Sequence, residues 1–272
     1  MLRKATDADL EMLTAFRREA YGGSRTEIAG WLNHIVGTDN ILLVERPGAQ
    51  SGEQLAAMLC AVPVEMAGHR GIWFCGMATH PQFQGRGLMT HLLTGCIKAY
   101  AASGYEFAAV VPETSRAASR LRELEFKDAF SLRVLNRPIN HNLWAKAEFD
   151  TMTVRRLHYQ PGCLTLPESS MNEVVSQLYH RGATIVANSR GYGIYFVRED
   201  VLQFIELQAD NDHSADILLE AARERTGCTQ AQLLLTENQS LFLGAGKRCG
   251  YGMIRFLQKP FPLSDVYFRL LL

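Results

Sequence analysis

The sequence predicts an α/β protein built on mixed (α+β) sheets, and three observations carry that prediction. A continuous apolar run over residues 71–78 is followed by a glycine-rich turn, a stretch of helical period over 88–103 and a second buried strand over 107–111. Strand, loop, helix and strand within about 40 residues make a crossover, which sets the two strands parallel. Upstream, residues 41–45 and 55–65 flank the turn-rich segment 46–52 and read as an antiparallel meander. Beyond residue 150 the succession of element types begins again, although residue identity does not repeat.

The elements follow in order. Residues 2–5 read as a short strand, and Thr6-Asp7 as a helix start ahead of Leu10, Leu13 and Phe16. Ile28, Trp31, Leu32 and Ile35 give a second helix its apolar face over 25–36. Leu88, Leu92, Leu93, Cys96, Ile97 and Tyr100 do the same for the helix after the glycine turn, which Gly104 closes. A short helix over 114–124 and a strand over 129–135 complete the first half, and 136–142 reads as the linker. The expected division is a domain over 1–137, a linker over 138–150 and a second domain over 151–272. In the second domain the expected order is strand 152–157, helix 168–180, strands 183–188, 193–198 and 202–208, helix 214–225, and strands 232–236 and 251–257.

Composition narrows the function classes. With 272 residues, 47% hydrophobic and 21% charged, the chain is long enough for one large core or two smaller ones and is unlike a disordered or disulfide-stapled scaffold. Lys+Arg 28 is cancelled by Asp+Glu 28, so the basic surplus of a protein that neutralises nucleic-acid phosphates is missing, and no nucleic acid is expected as partner. The first residues reach charge at once, where an export signal needs an apolar run. The longest weakly polar stretch, residues 55–64, is interrupted by Pro63 and is too short to span a bilayer, so a soluble cytoplasmic protein is expected. Six scattered cysteines without a C-x-x-C pair fit reduced thiols packed as small core residues, with no metal site expected.

Gln84-Gly85-Arg86-Gly87-Leu88-Met89 carries the most chemistry. Peptide N–H groups at the start of a helix form an anion site, and glycines let the chain approach a ligand closely. A nucleoside-triphosphate loop would need a Lys-Ser or Lys-Thr pair, which is absent here. A dinucleotide fingerprint would place Thr90 where a third glycine belongs and leaves too long a turn after the strand.

With His80-Pro81 before it, the Q-G-R-G-L-M loop resembles the coenzyme loop of the GNAT acyltransferase superfamily. The element order over residues 1–137 also resembles that family. Gln84 and Gly87 match the family pattern, and Met89 stands where a small residue is usual. The repeated element order resembles the tandem arrangement of the enhanced intracellular survival family, without its sterol-carrier-like domain and with a degenerate second half. The resemblance implies acetyl-CoA as cosubstrate. Its diphosphate would lie on the amides of Gln84, Gly85, Arg86, Gly87, Leu88 and Met89, its pantetheine arm would pair beside Met77, Ala78 and Thr79, and Thr114 would border it. Arg86 meets a phosphate on this reading; a solvated loop charge is the alternative.

The implied reaction is N-acetylation of a primary amine on a small molecule or peptide, which needs a base for the ammonium and a proton for the departing thiolate. Many family members place a tyrosine acid in the helix after the fifth strand; here Leu121 stands at that place and Glu125 replaces the glycine after it. Glu65 and the terminal carboxylate of Leu272 are the substitutes for a catalytic group. His69 and His80 are explained by a turn and by the family's His-Pro, and Tyr100 by the core. Arg116, Arg120 and Arg122 read either as neighbours of the coenzyme's 3′-phosphate or as a solvated helix face. The glycine-rich stretches at 188–193 and 244–250 lead into strands and read as turns. The second half would then act as substrate wall or dimer surface, which makes a homo-oligomer an expectation. A coenzyme-binding sensor or scaffold without turnover stays open beside the enzyme.

Overall fold

The structure, a computed structural model, describes residues 2–45, 55–141, 146–150 and 162–269. The turn segment at 46–52, the expected strand at 152–157 and Leu272 lie outside the described residues, as does part of the 138–150 linker. The chain forms two compact units. One gathers Met1–Ala129, Thr165–Val174 and Gly252–Leu263; the other gathers Phe130–Leu164, Val175–Tyr251 and Ser264–Leu272.

Strand β1 (Leu2–Lys4) leads into a 3₁₀ turn and helix α1 (Leu10–Tyr21). Arg3 forks onto Asp9 with two bonds of 2.7 Å, and this pairing holds the Asp9 carboxyl well below the usual carboxylate range. Asp9 also accepts from the Thr6 amide at 2.8 Å, so the charge pair and the cap share one carboxylate. Helix α2 (Arg25–Gly30) continues as a π-helical stretch over Trp31–Val36, which buries Trp31, Leu32, Ile35 and Val36. Strands β2 (Ile41–Glu45), β3 (Leu55–Met66) and β4 (His69–Thr79) form the predicted antiparallel meander. Helix α3 (Leu88–Ala102) then crosses over to β5 (Phe107–Val110), which pairs parallel with β4. Helix α4 (Ser115–Glu123) follows, with Thr114 as its cap: Oγ1 accepts from the Ala117 amide at 3.1 Å.

Strand β6 (Lys127–Pro138) runs past the expected linker boundary. Asn136, Arg137 and Pro138 are strand residues opposite Gln232, Ala231 and Gln230, and backbone pairing overrides the turn signal of Arg137-Pro138. Short strands β7 (Glu148–Phe149) and β8 (Leu164–Thr165) precede helix α5 (Glu168–His180). Strands β9 (Thr184–Asn188), β10 (Gly191–Arg198) and β11 (Val201–Ala209) make a second meander, and helix α6 (Asp212–Thr226) crosses from β11 to the parallel strand β12 (Gln230–Thr236). The last strand is β13 (Lys247–Phe256), of which Met253–Phe256 pair antiparallel with Val110–Phe107 of β5.

Each unit has its own core. In the first, Leu59, Ile72, Phe74, Leu92, Leu93, Val110, Leu121, Phe126 and Met253 pack together; in the second, Phe204, Leu207, Leu218, Leu219, Leu233 and Leu235 do. Four of the six cysteines are buried as expected, but Cys75 is half-buried and Cys249 is exposed on β13. Among the described residues no helix is long and apolar enough to cross a membrane.

The pairing of β13 with β5 has a direct consequence. A fragment of residues 1–137 lacks Gly252–Leu263 and leaves Phe107–Val110 open along one edge, with the contacts of Met253 and Ile254 lost. The fragment is expected to aggregate, or to lose the cooperative urea transition that the full chain gives, as measured by size-exclusion chromatography and circular dichroism.

Candidate active site

The site begins with a defect in a sheet. Along β3 and β4 the register passes from Cys60 opposite Cys75 to Met58 opposite Ala78, so Leu59 faces two residues, Gly76 and Met77. This is a β-bulge. Gly76 has φ of 56°, and a Cβ there would lie 2.9 Å from Cys60 Sγ and 3.0 Å from the Trp31 ring, so glycine is required for both space and conformation. Pairing of β4 with β5 covers Gly71–Phe74 against Phe107–Val110 and stops one residue before the bulge. Beyond that point the two strands part.

The glycine loop lies past the end of β4. Gln84 Nε2 donates to the Thr79 carbonyl at 3.2 Å, which ties the loop to the strand. Gly85 and Gly87 have φ of 76° and 74°, and a Cβ at either would meet open space. Their glycine identity is therefore set by backbone conformation, not by crowding. Gly87 is the N-cap of α3 and brings no capping side chain. Among the described residues no carbonyl or side chain accepts from the amides of Gly85, Arg86, Gly87, Leu88, Met89 or Thr90. These donors stand at the positive end of a helix of 15 residues. Arg86 sits over the Phe83 ring at 5.1 Å.

Three residues that the sequence reading did not single out gather at the bulge. The Tyr21 hydroxyl donates to the Met77 carbonyl at 2.5 Å. Burial, with the charge of Glu113 beside it, pushes the Tyr21 phenol up to about 12. Arg17, one turn earlier on α1, places its guanidinium 3.8 Å over the Trp31 ring and 4.9 Å over the Tyr21 ring, and its Nη1 is buried without a hydrogen-bond partner. Glu113, just past β5, is open to solvent, yet desolvation raises its carboxyl above the ordinary value while Arg17 draws it down. Across the neighbouring register Cys75, beside Cys60, is held strongly toward the neutral thiol, chiefly by burial. A signal for Arg17 and Tyr21 exists in sequence: they stand i, i+4 on one helix face. Glu113 follows a buried strand as the first carboxylate at its C-terminal end.

The other expected residues sort by position. Met77, Ala78 and Thr79 line the β4 side beyond the parting, and Thr114 caps α4 as described. Glu65 does not join them. It lies opposite Arg70 beside the β3–β4 turn, and at about 3.3 Å per residue the run from Arg70 to Met77 sets it roughly 23 Å from the bulge. His69 also sits at that turn, 2.8 Å from Glu106 Oε2 and stacked on Phe261 at 3.8 Å. His80 Nδ1 accepts from the Gln82 amide at 3.2 Å, which makes it a turn cap. Tyr100 packs edge-on against Tyr105. Arg120 and Arg122 are engaged with Glu123 and Asp128 at 2.9 Å, in agreement with a solvated helix face. Leu121 is 3% exposed and belongs to the core, so the side chain at the usual tyrosine place points inward. The described residues contain no cluster of three or more His, Cys, Asp or Glu able to hold a metal ion.

Comparison with known proteins bears on family and fold. Residues 1–122 match the family model described as "Acetyltransferase (GNAT) domain". No curated protein matches the chain in sequence. Among solved structures, a probable N-acyltransferase of Enterococcus faecalis V583 superposes with a TM-score of 0.69 at 12% identity, over 95% of this chain and 72% of its own. Eis1 from Mycobacterium abscessus gives 0.66 at 13% identity, over 94% and 74%. A tandem GNAT protein from the clavulanic acid biosynthesis pathway gives 0.56 at 10% identity, over 96% and 100%. At such identities the structural likeness speaks for fold, and the family match speaks for the first unit. Residues 1–122 therefore belong to the GNAT acetyltransferase domain family, and the chain has the mixed-sheet fold of a tandem GNAT protein.

Proposed function

We propose that the first unit transfers an acetyl group from acetyl-CoA to a primary amine. The row of amides from Gly85 to Thr90, left without acceptors at the head of α3, carries this reading. Gly85, Arg86, Gly87, Leu88 and Met89 hold the diphosphate through main-chain N–H groups, where a fixed positive field costs nothing to assemble, whereas the expected Gln84 amide is spent on the Pro81 carbonyl at 3.3 Å and Gln84 instead ties the loop to Thr79 through its side chain. Met77, Ala78 and Thr79 present a strand edge to the pantetheine amides, and Thr114 borders the coenzyme from across the gap. Bound acetyl-CoA supplies an acetyl thioester: its carbon–sulfur bond is exchanged for a carbon–nitrogen bond, and the proton leaving the amine ends on sulfur.

Glu113 is the base on this reading. A carboxyl raised toward neutrality accepts a proton from an ammonium more effectively than one at its ordinary value. Arg17 draws the same carboxyl down, and its charge disfavours the acceptor's ammonium form in the same space. Tyr21 positions the bulge through the Met77 carbonyl. With its phenol pushed up to about 12 and its proton already engaged, it is a poor acid toward a thiolate whose reference pKa is about 8.5. The acceptor is a small molecule or a peptide amine. The rival reading, an acyl-CoA sensor or scaffold, draws on Leu121 in the core at the usual tyrosine place.

Three outcomes are expected. Free-thiol release should follow acetyl-CoA addition for at least one member of a panel of primary amines; coenzyme binding by calorimetry with no thiol release for any amine would establish the sensor instead. Glu113→Gln should lower kcat/KM by about 10²–10⁴ and remove the acidic limb of its pH profile, since only the ionised carboxylate works and activity rises with pH through its raised pKa, while coenzyme affinity is unchanged. Gly87→Val forces a branched side chain into a left-handed cap, and is expected to weaken coenzyme binding by at least about tenfold in calorimetry, or about 1.4 kcal/mol.

A further inference from the structure

The second unit repeats the crossover but reverses its chemistry. Strands β11 and β12 pair in parallel only from Val201–Phe204 against Gln230–Leu233, then part. As in the first unit, a bulge accompanies the parting: between β10 and β11 the register passes from Tyr195 opposite Phe204 to Ile194 opposite Glu206, leaving Ile205 as the extra residue. A cavity of about 650 Å³ lies at this end of the strands, within the range of small-molecule sites. Its lining includes Tyr192, Gln208, Asp210, Thr236, Asp265 and Tyr267.

Nothing here suits a diphosphate. Asn211 caps α6 with its own side chain, Oδ1 accepting from the Ser214 amide at 2.9 Å. Asp210 and Asp212 flank that cap, and Asp212 Oδ1 accepts from the Phe242 amide at 2.7 Å. The helix start that is bare in the first unit is here closed by a side chain and made acidic.

Polar atoms in want of a partner lie in the cavity wall and behind it. Thr236 is 5% exposed and lines the cavity, and its Oγ1 makes no hydrogen bond within the protein. Glu206 is fully buried on β11, two residues before the cavity-lining Gln208. Its Oε1 accepts from the hydroxyl of Tyr192, itself a lining residue, and its Oε2 has no partner. The groups facing Glu206 are Tyr192 on β10 and Tyr267 and Arg269 from the C-terminal segment; Cys163 stands behind both tyrosines. Arg269 bonds to the Ile205 carbonyl at 2.9 and 3.2 Å, so its guanidinium acts on Glu206 as a field and makes no direct bond to it. On the lining, the acids Asp210 and Asp265 outnumber the single cation Arg190.

We propose that this cavity is a second ligand site, taking a small organic ammonium compound whose N–H groups satisfy the Thr236 hydroxyl and draw on the carboxylate of Glu206. A cation is favoured because Thr236 Oγ1 and Glu206 Oε2 are unpaired acceptors and the lining carries two acids to one cation, while Gln208 Nε2, also buried and unpaired, takes an acceptor on the same ligand. Burial holds the Glu206 carboxyl at about 7, with Tyr192 and Arg269 opposing, so ionisation and ligand uptake are linked near neutrality. The site is independent of the acyl-transfer reading, since none of its residues belongs to the first unit.

Calorimetry on the full chain with putrescine and ethanolamine, with sorbitol and acetate as neutral and anionic controls, tests this. The ammonium compounds are expected to bind and the controls not to bind, with affinity rising between pH 6 and 8 as Glu206 ionises. Glu206→Gln keeps the shape and the acceptor for Tyr192 and is expected to lose at least about tenfold in affinity. Ser189→Trp, which fills the cavity from its lining, should abolish binding even if Glu206→Gln fails to fold, whereas Gly87→Val in the first unit should leave it intact. No binding of either ammonium compound, equal binding of sorbitol, or wild-type affinity in Ser189→Trp would overturn the proposal.

Discussion

Two parallel strands that stop pairing set the terms for the first unit. Gly76 and Met77 bulge against Leu59 of the antiparallel neighbour β3, and the parallel pairing of β4 with β5 ends just before them, at Phe74 and Val110. Past it, Met77, Ala78 and Thr79 keep β3 on one side and lose β5 on the other. On the function proposed here, the peptide groups of that edge pair with the amides of the pantetheine arm. Tyr21 meets one of these groups, the Met77 carbonyl, and thereby joins α1 to the defect.

Around this opening the fold places charge with little direct pairing. Arg17 is held by aromatic faces, and Glu113 feels it through space. A tight pair would fix the carboxylate low, whereas here desolvation raises it and Arg17 draws back only part of that rise. On the proposed reading the base stands at the end of the fifth strand and not in the helix after it. Leu121, at the place where a family tyrosine usually stands, instead contributes about 1.5–3 kcal/mol of apolar burial beside Phe126.

The two units apply one geometry to opposite charges. Both have a bulge, a parting pair of parallel strands and a crossover helix that starts at the opening. In one the helix head is bare glycine, which leaves amides free for an anion. In the other Asn211 occupies the head and acids surround it, while a buried carboxyl waits below. On the two readings proposed here, backbone architecture sets where each ligand sits, and a handful of side chains sets the sign of its charge.

Much of this was legible in the chain. Hydrophobic period placed nearly every helix and strand, because burial of one face is a local rule that tertiary contacts here reinforce. The glycine loop was legible for the same kind of reason: positive φ at Gly85 and Gly87 is a property of those residues before any neighbour arrives. What tertiary structure alone decided was proximity across long separations. Glu65 and Glu113 look alike in sequence, both carboxylates at strand ends, yet strand direction sends one to the far turn and the other to the opening. The pairing of Met253–Phe256 with β5, the extension of β6 through Pro138, and the gathering of Tyr192, Glu206 and Tyr267 around one cavity arise from backbone pairing between distant segments. Such pairing obeys hydrogen-bond register, which no local window of sequence contains.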